Sequence, residues 1–145
     1  MKKEQETKSY QNKEVLESFH TVASYELDSF GHVNNACFLN YLEKARCDFM
    51  RLKELNFSDF FKWHKYPVVV RAALDFKRPA LADDKLVIKG WISKHTATSF
   101  TMKYEILNRD SGQLILTGET FHVFVDDNNR PSRMPEVFGK KFLNK

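Results

Sequence analysis

Between Ser18 and Asp28 (SFHTVASYELD) apolar and polar residues alternate, with Phe19, Thr21, Ala23, Tyr25 and Leu27 on one side. Period-two patterning with aromatic and β-branched content predicts a strand. The run Asp28-Ser29-Phe30-Gly31 then breaks it with turn formers. From Asn34 or Asn35 to about Leu55 the period becomes helical. Phe38, Tyr41, Leu42, Ala45, Phe49 and Leu52 fall on one stripe, while Glu43, Lys44, Arg51, Lys53 and Glu54 mostly fall off it. An Asn at the start is a favoured cap, because its side chain accepts from an unpaired backbone N–H. Asn56 to Lys65 reads as a connector with one helical turn over Ser58 to Trp63. Val68 to Lys77, Leu86 to Lys94, Ser99 to Leu107 and Leu114 to Val125 return to alternation. Pro79 closes the first of these, since proline cannot donate to a ladder. Asn108 to Gly112 is a hairpin turn between the last two.

The order is strand, long helix, then four strands joined mainly by short turns. It predicts an α+β domain in which a five-stranded antiparallel sheet wraps one long central helix. Residues 16–132 form that single domain. Residues 1–15 are expected to be a disordered lead-in, and 133–145 a basic C-terminal segment of undefined structure. Such a sheet leaves open edges, which pairing between subunits would cover, so at least a dimer is expected.

Composition narrows the function classes. The 145 residues suffice for one core without disulfides or a structural metal. Cys37 and Cys47 are ten residues apart on the helix, about 15 Å along its axis and too far to bridge. Neither has a CxxC partner, so no zinc site is expected and a reducing, cytoplasmic setting fits. The first dozen residues hold no apolar stretch for a signal peptide or membrane anchor. The net charge of +4 is mild, and the lysines are interleaved with acids rather than clustered. That pattern argues against nucleic acid and for a small polyanion held by local cations. The 13 phenylalanines suit a packed core or an apolar ligand groove.

The candidate chemistry lies in Asp28-Ser-Phe-Gly31-His32-Val33-Asn34-Asn35. A carboxylate ends a strand, a glycine permits a sharp turn, and a helix starts. Helix N-termini carry unpaired N–H groups and partial positive charge, which suits a carbonyl oxygen becoming an oxyanion. A neighbouring carboxylate can take a proton from water or attack the carbonyl carbon. Residue chemistry alone leaves open that Asp28 is merely a cap or turn residue.

The segment Tyr25 to Arg46 (YELDSFGHVNNACFLNYLEKAR) resembles the signature of acyl-CoA thioesterases of the hotdog fold. The similar subgroup is the bacterial FadM/YbgC type, relatives of 4-hydroxybenzoyl-CoA thioesterase. Pro67 to Ile88 (PVVVRAALDFKRPALADDKLVI) resembles a second block of the same subgroup, and the likeness runs from about Phe19 to Val125. The resemblance implies a hotdog fold, a homodimer or dimer of dimers with the active site at the interface, and hydrolysis of acyl-CoA. No metal or cofactor is implied, CoA being part of the substrate. Asp28 matches the family's catalytic aspartate, as general base or nucleophile. Asn35 matches the position whose backbone N–H polarises the thioester carbonyl, and Gly31 the turn into the helix.

His32 is read either as orienting water or substrate or as a structural histidine bonded to a neighbouring loop. Glu43 is a candidate for the helix carboxylate some relatives use, or a partner of Arg46 at i+3. Cys37 reads as a small buried residue. Lys77 and Arg78, in the matched Arg-Pro block, are candidates for CoA phosphates; relatives often carry Arg at the first of these. Arg71, Lys94, His95 and Lys103 are further cations. Phe38, Leu42, Phe49, Phe60, Phe61 and Trp63 are candidates to line an acyl tail. Rival readings are an acyl carrier protein thioesterase, a hydratase-dehydratase, and a non-catalytic acyl-CoA sensor. The hydratase loop normally contains Asn-Pro, and no proline separates Asp28 from His32.

Overall fold

A computed structural model describes residues 13–143 of the chain. The expected lead-in over 1–15 lies almost wholly outside that range. Strand β1 (Leu16–Thr21) is followed by a 3-10 turn at Ser24–Glu26, helix α1 (Asn35–Leu52) and helix α2 (Phe57–Trp63). Strands β2 (Tyr66–Phe76), β3 (Lys85–His95), β4 (Ser99–Asn108) and β5 (Leu114–Val125) come next, and helix α3 (Glu136–Phe142) ends the described chain. The sheet order is β1-β3-β4-β5-β2, and every neighbouring pair is antiparallel. This is the hotdog arrangement of one sheet around one long helix.

Helix α1 starts where its sequence allows. Asn34 is extended and its side chain accepts from the Ala36 N–H at 2.9 Å, satisfying one of the orphan donors of the first turn. Its buried stripe is Phe38, Tyr41, Leu42, Ala45 and Phe49, matching the helical period. These pack on Leu86 and Ile88 of β3, Met102, Tyr104 and Ile106 of β4, and Leu116 and Phe124 of β5. Gly90 lets the helix approach: a Cβ there would stand 2.4 Å from the Phe49 ring.

Three expectations change. The first strand ends at Thr21, and Ser18 is buried while Phe19 is half-exposed. The inward side therefore carries polar groups, each with a partner. Ser18 donates to Asp48 of α1 at 2.6 Å, and His20 meets Glu26 at 3.0 Å. In β2 the alternation of Val68, Val70 and Ala72 is interrupted. A bulge pairs Val69 with His122 but Ala72 with Thr120, so Val69 and Ala72 share one face. Residues 136–142, within the basic segment whose structure the sequence left undefined, form α3. Its Phe138 enters the core among Phe60, Phe100 and Phe124, with ring centroids 5.1 to 6.3 Å away.

Candidate active site

The strand-to-helix junction is a tight hydrogen-bonded loop. Leu27 and Val33 form an isolated antiparallel bridge, and the Asp28 N–H donates to the His32 carbonyl at 2.7 Å. Within it, Asp28 Oδ1 accepts from the Phe30 N–H at 2.9 Å and from the His32 N–H at 3.1 Å. Gly31 has φ of 81°, the left-handed conformation that glycine adopts without a Cβ penalty. Asp28 is therefore both a turn residue and an open carboxylate. One oxygen organises the loop, and Oδ2 accepts from no described residue.

The helix start completes the arrangement. Asn34 satisfies Ala36 through its side chain and Cys37 through its carbonyl. The Asn35 N–H, the first amide of α1, has no acceptor among the described residues. Val33 is fixed from the other side by the Ala80 carbonyl at 2.9 Å.

A cleft of about 270 Å³ gathers Asp28, His32, Asn35, Phe38, Phe76, Lys77 and Arg78, with Val33 and Pro79. Six residues chosen from the sequence thus share one concavity although Phe38 and Lys77, where the two groups come nearest in the chain, are 39 positions apart. The sheet order is the reason: the end of β2 comes back over the start of α1. Lys77 and Arg78 are set by their amides, which donate to the Ile115 carbonyl at 2.8 and 3.1 Å. Arg78 also donates to the Leu114 carbonyl at 3.2 Å. Lys77 forms no ion pair with a described residue. The His32 ring, on the cleft wall, hydrogen-bonds to no described residue. Phe38 is buried, and its ring packs on Phe76 at 5.7 Å.

Glu43 lies elsewhere. It is exposed, pairs with Arg46 on its own helix, and lines a second cavity of about 270 Å³. Phe49, Phe60 and Phe61 line that cavity, as do Phe57, Val68 and Val69. Phe38, Leu42 and Trp63 do not. Cys37 and Cys47 are free thiols, each only half-buried. Of the further cations, Arg71 faces Glu119 at 3.9 Å.

A buried polar chain that the sequence did not announce runs beside the second cavity. Arg46 donates to the Tyr104 hydroxyl at 3.1 Å, which is 2.6 Å from the Thr120 hydroxyl. Thr120 meets His122 Nε2 at 2.7 Å, and His122 Nδ1 donates to the Pro67 carbonyl at 3.3 Å. Burial lowers the His122 pKa to about 4, against the pull of that carbonyl, so the ring is neutral at pH 7. Burial opposes the charge of Arg46, but Tyr104 and Glu43 outweigh it. A period-two pattern cannot reveal this chain, because its members lie on three elements. The signal available was Thr120 and His122 at i and i+2 on an apolar strand.

No described helix is long and apolar enough to cross a membrane. Among the described residues no group of three or more His, Cys, Asp or Glu is placed to hold a metal ion.

Comparison with known proteins agrees with the fold. A family model described as the thioesterase-like superfamily matches residues 22–142. The long-chain acyl-CoA thioesterase FadM of Escherichia coli is 33% identical over 109 residues, covering 72% of this chain and 79% of that protein. A chloroplastic acyl-acyl carrier protein thioesterase of Arabidopsis thaliana is 29% identical over 133 residues, covering 89% and 70%. Among solved structures, a 1,4-dihydroxy-2-naphthoyl-CoA thioesterase from Synechocystis superposes with a TM-score of 0.85 at 22% identity, covering 90% of this chain and 97% of that one. The last likeness carries the fold alone. The family match covers most of the sequence and contains the whole Asp28–Asn35 junction, so the chain belongs to the thioesterase-like superfamily and is a hotdog-fold thioester hydrolase.

Proposed function

We propose that the protein hydrolyses acyl-CoA to a free carboxylic acid and CoA in the Asp28 cleft. The observation that carries this reading is the coexistence, on one small cleft, of a carboxylate oxygen and a helix N-terminal amide that no described residue satisfies. The thioester carbonyl oxygen accepts from the Asn35 N–H, which is stronger toward the developing oxyanion than toward the ground-state carbonyl. Asp28 Oδ2 then either takes a proton from the attacking water or attacks the carbonyl carbon itself to form a mixed anhydride that water opens. In both routes the carbon–sulfur bond breaks and the CoA thiolate leaves. His32 faces the same space and orients water or substrate. Lys77 and Arg78, at the cleft margin, meet CoA phosphates. Glu43 takes no step in this scheme, and none needs a metal ion or cofactor.

The active unit is proposed to be a homodimer. Strand β2 is a sheet edge with Val69, Val70 and Phe76 exposed, and a second copy pairing there would cover it. Antiparallel pairing about a twofold axis brings the Phe76 end of one β2 beside the Tyr66 end of the other. The Asp28 cleft of one copy would then adjoin the apolar cavity of its partner, which suits an acyl tail. The two free thiols favour a reducing, cytoplasmic setting.

Thiol release measured across short, long and aromatic acyl-CoA esters tests the activity. Release from none of them would remove the reading. Faster release from an acyl carrier protein ester of the same acyl group would replace CoA as the natural carrier.

A further inference from the structure

The loop that carries Asp28 is closed at its base by Glu26, which does not line the cleft. The Glu26 carbonyl accepts the Asn34 N–H at 2.9 Å, immediately before the helix start. Its side chain turns inward and is buried. There Oε1 accepts from the Ala23 N–H at 2.7 Å and meets His20 Nε2 at 3.0 Å. His20 belongs to β1, and its ring lies 4.3 Å from that of Tyr41 on α1. The Tyr41 ring meets Phe38 edge-on at 5.6 Å, and Phe38 lines the cleft. Strand, turn and helix converge on one buried carboxylate.

A buried carboxylate is costly unless donors meet its charge. Burial opposes the ionisation of Glu26, but the Ala23 amide and His20 outweigh it and hold the carboxyl below its ordinary value. Tyr41 is enclosed, and its hydroxyl makes no hydrogen bond of standard geometry. Burial, followed by the nearby Glu26 carboxylate, pushes its ionisation well above the usual phenol range. Side chain and carbonyl of Glu26 belong to one short turn. A shift of the carboxylate therefore moves the carbonyl that holds Asn34, and with it the Asn35 amide.

We propose that Glu26, His20 and Tyr41 are a positioning unit that fixes the separation of the Asp28 carboxylate from the Asn35 N–H. The proposal rests on the thioesterase reading above. None of the three touches substrate; each acts through the loop or through Phe38. Misplacement of reacting groups by about 1 Å costs on the order of 100-fold in rate.

The test uses the full-length chain, with kcat and KM taken per folded molecule. Glu26→Gln is expected to lower kcat by roughly 100-fold, with KM changed less than about threefold. His20→Leu should move in the same direction. His20→Gln restores an N–H donor and should recover at least about tenfold of that loss. Amide exchange at Asn34 and His32, which bond to Glu26 and Asp28, should quicken in Glu26→Gln and His20→Leu but not in His20→Gln. Lowered melting with kcat held within about twofold would make the cluster purely structural and overturn the proposal. Should Glu26→Gln not fold, the two His20 variants decide. A wild-type chain that releases no thiol would sink the functional reading instead, and the exchange rates would still judge positioning.

Discussion

Two cavities of about 270 Å³ lie toward opposite ends of α1, one bounded by the end of β2 and the other by its start. They differ in how their polar groups are satisfied. Beside the apolar cavity, Arg46, Tyr104, Thr120 and His122 pass hydrogen bonds from one to the next down to the Pro67 carbonyl. Each member of that chain has at least one hydrogen-bond partner. At the other end, Asp28 Oδ2 and the Asn35 N–H have no partner among the described residues, which is tolerable because both residues are exposed to water. Under the proposed function, the unpaired carboxylate oxygen and amide belong to the reactive end, and the apolar lining of the other cavity suits an apolar group.

Asp28→Asn attacks the comparison at its strongest point. The amide keeps Oδ1 as acceptor for Phe30 and His32, so the loop should hold while the base or nucleophile is lost. Thiol release should fall by about 10²- to 10⁴-fold with the melting temperature nearly unchanged. Near wild-type turnover would take Asp28 out of the mechanism.

Asn35 permits a finer cut. It is the first helical residue, where proline is accepted, and Asn34 already has ψ of 136°, as a residue before proline prefers. Asn35→Pro therefore deletes the amide without breaking the helix and should lower kcat by about 10²- to 10³-fold. Asn35→Ala keeps the amide and should stay within about threefold of wild type. Equal losses in the two would assign the role to the side chain.

At the apolar end the expected effects are on stability. Phe60→Ala, in the wall of the second cavity, should cost about 3–5 kcal/mol in denaturant melts. His122 adds a pH signature. Its folded pKa is about 4, below an unfolded value near 6.5. The unfolded chain binds the extra proton first, so stability declines as pH falls from 6.5 and the loss levels off below 4. Its size is on the order of 3 kcal/mol. His122→Gln should flatten that slope, and an unchanged slope would move the titration to another group.

The sequence made the α+β order, the long helix and four of the five strands legible to within a few residues. It carried the first strand on to Asp28, and it did not show that Ser18 is buried and His20 half-buried against Asp48 and Glu26, partners that an alternation rule cannot see. It passed over α3, since Phe138 and Phe142 form too short a stripe to stand out from a basic segment. Asp28, Gly31 and the helix start followed from turn and helix physics, whereas Lys77 and Arg78 rested on the family resemblance. Phe76 was overlooked as a cleft wall, and Glu26 as the base of the loop.

What the sequence determined by itself is local: a carboxylate, a glycine turn and a capped helix within eight residues, whose geometry follows from backbone hydrogen bonding. Only the tertiary structure decided which of those groups stay free. Asp28 could have spent both oxygens on its turn, and Asn35 could have met a carbonyl. In the folded chain one Asp28 oxygen and the Asn35 amide have no partner among the described residues. Satisfaction of a polar group depends on neighbours distant in the chain, and periodicity carries no record of them.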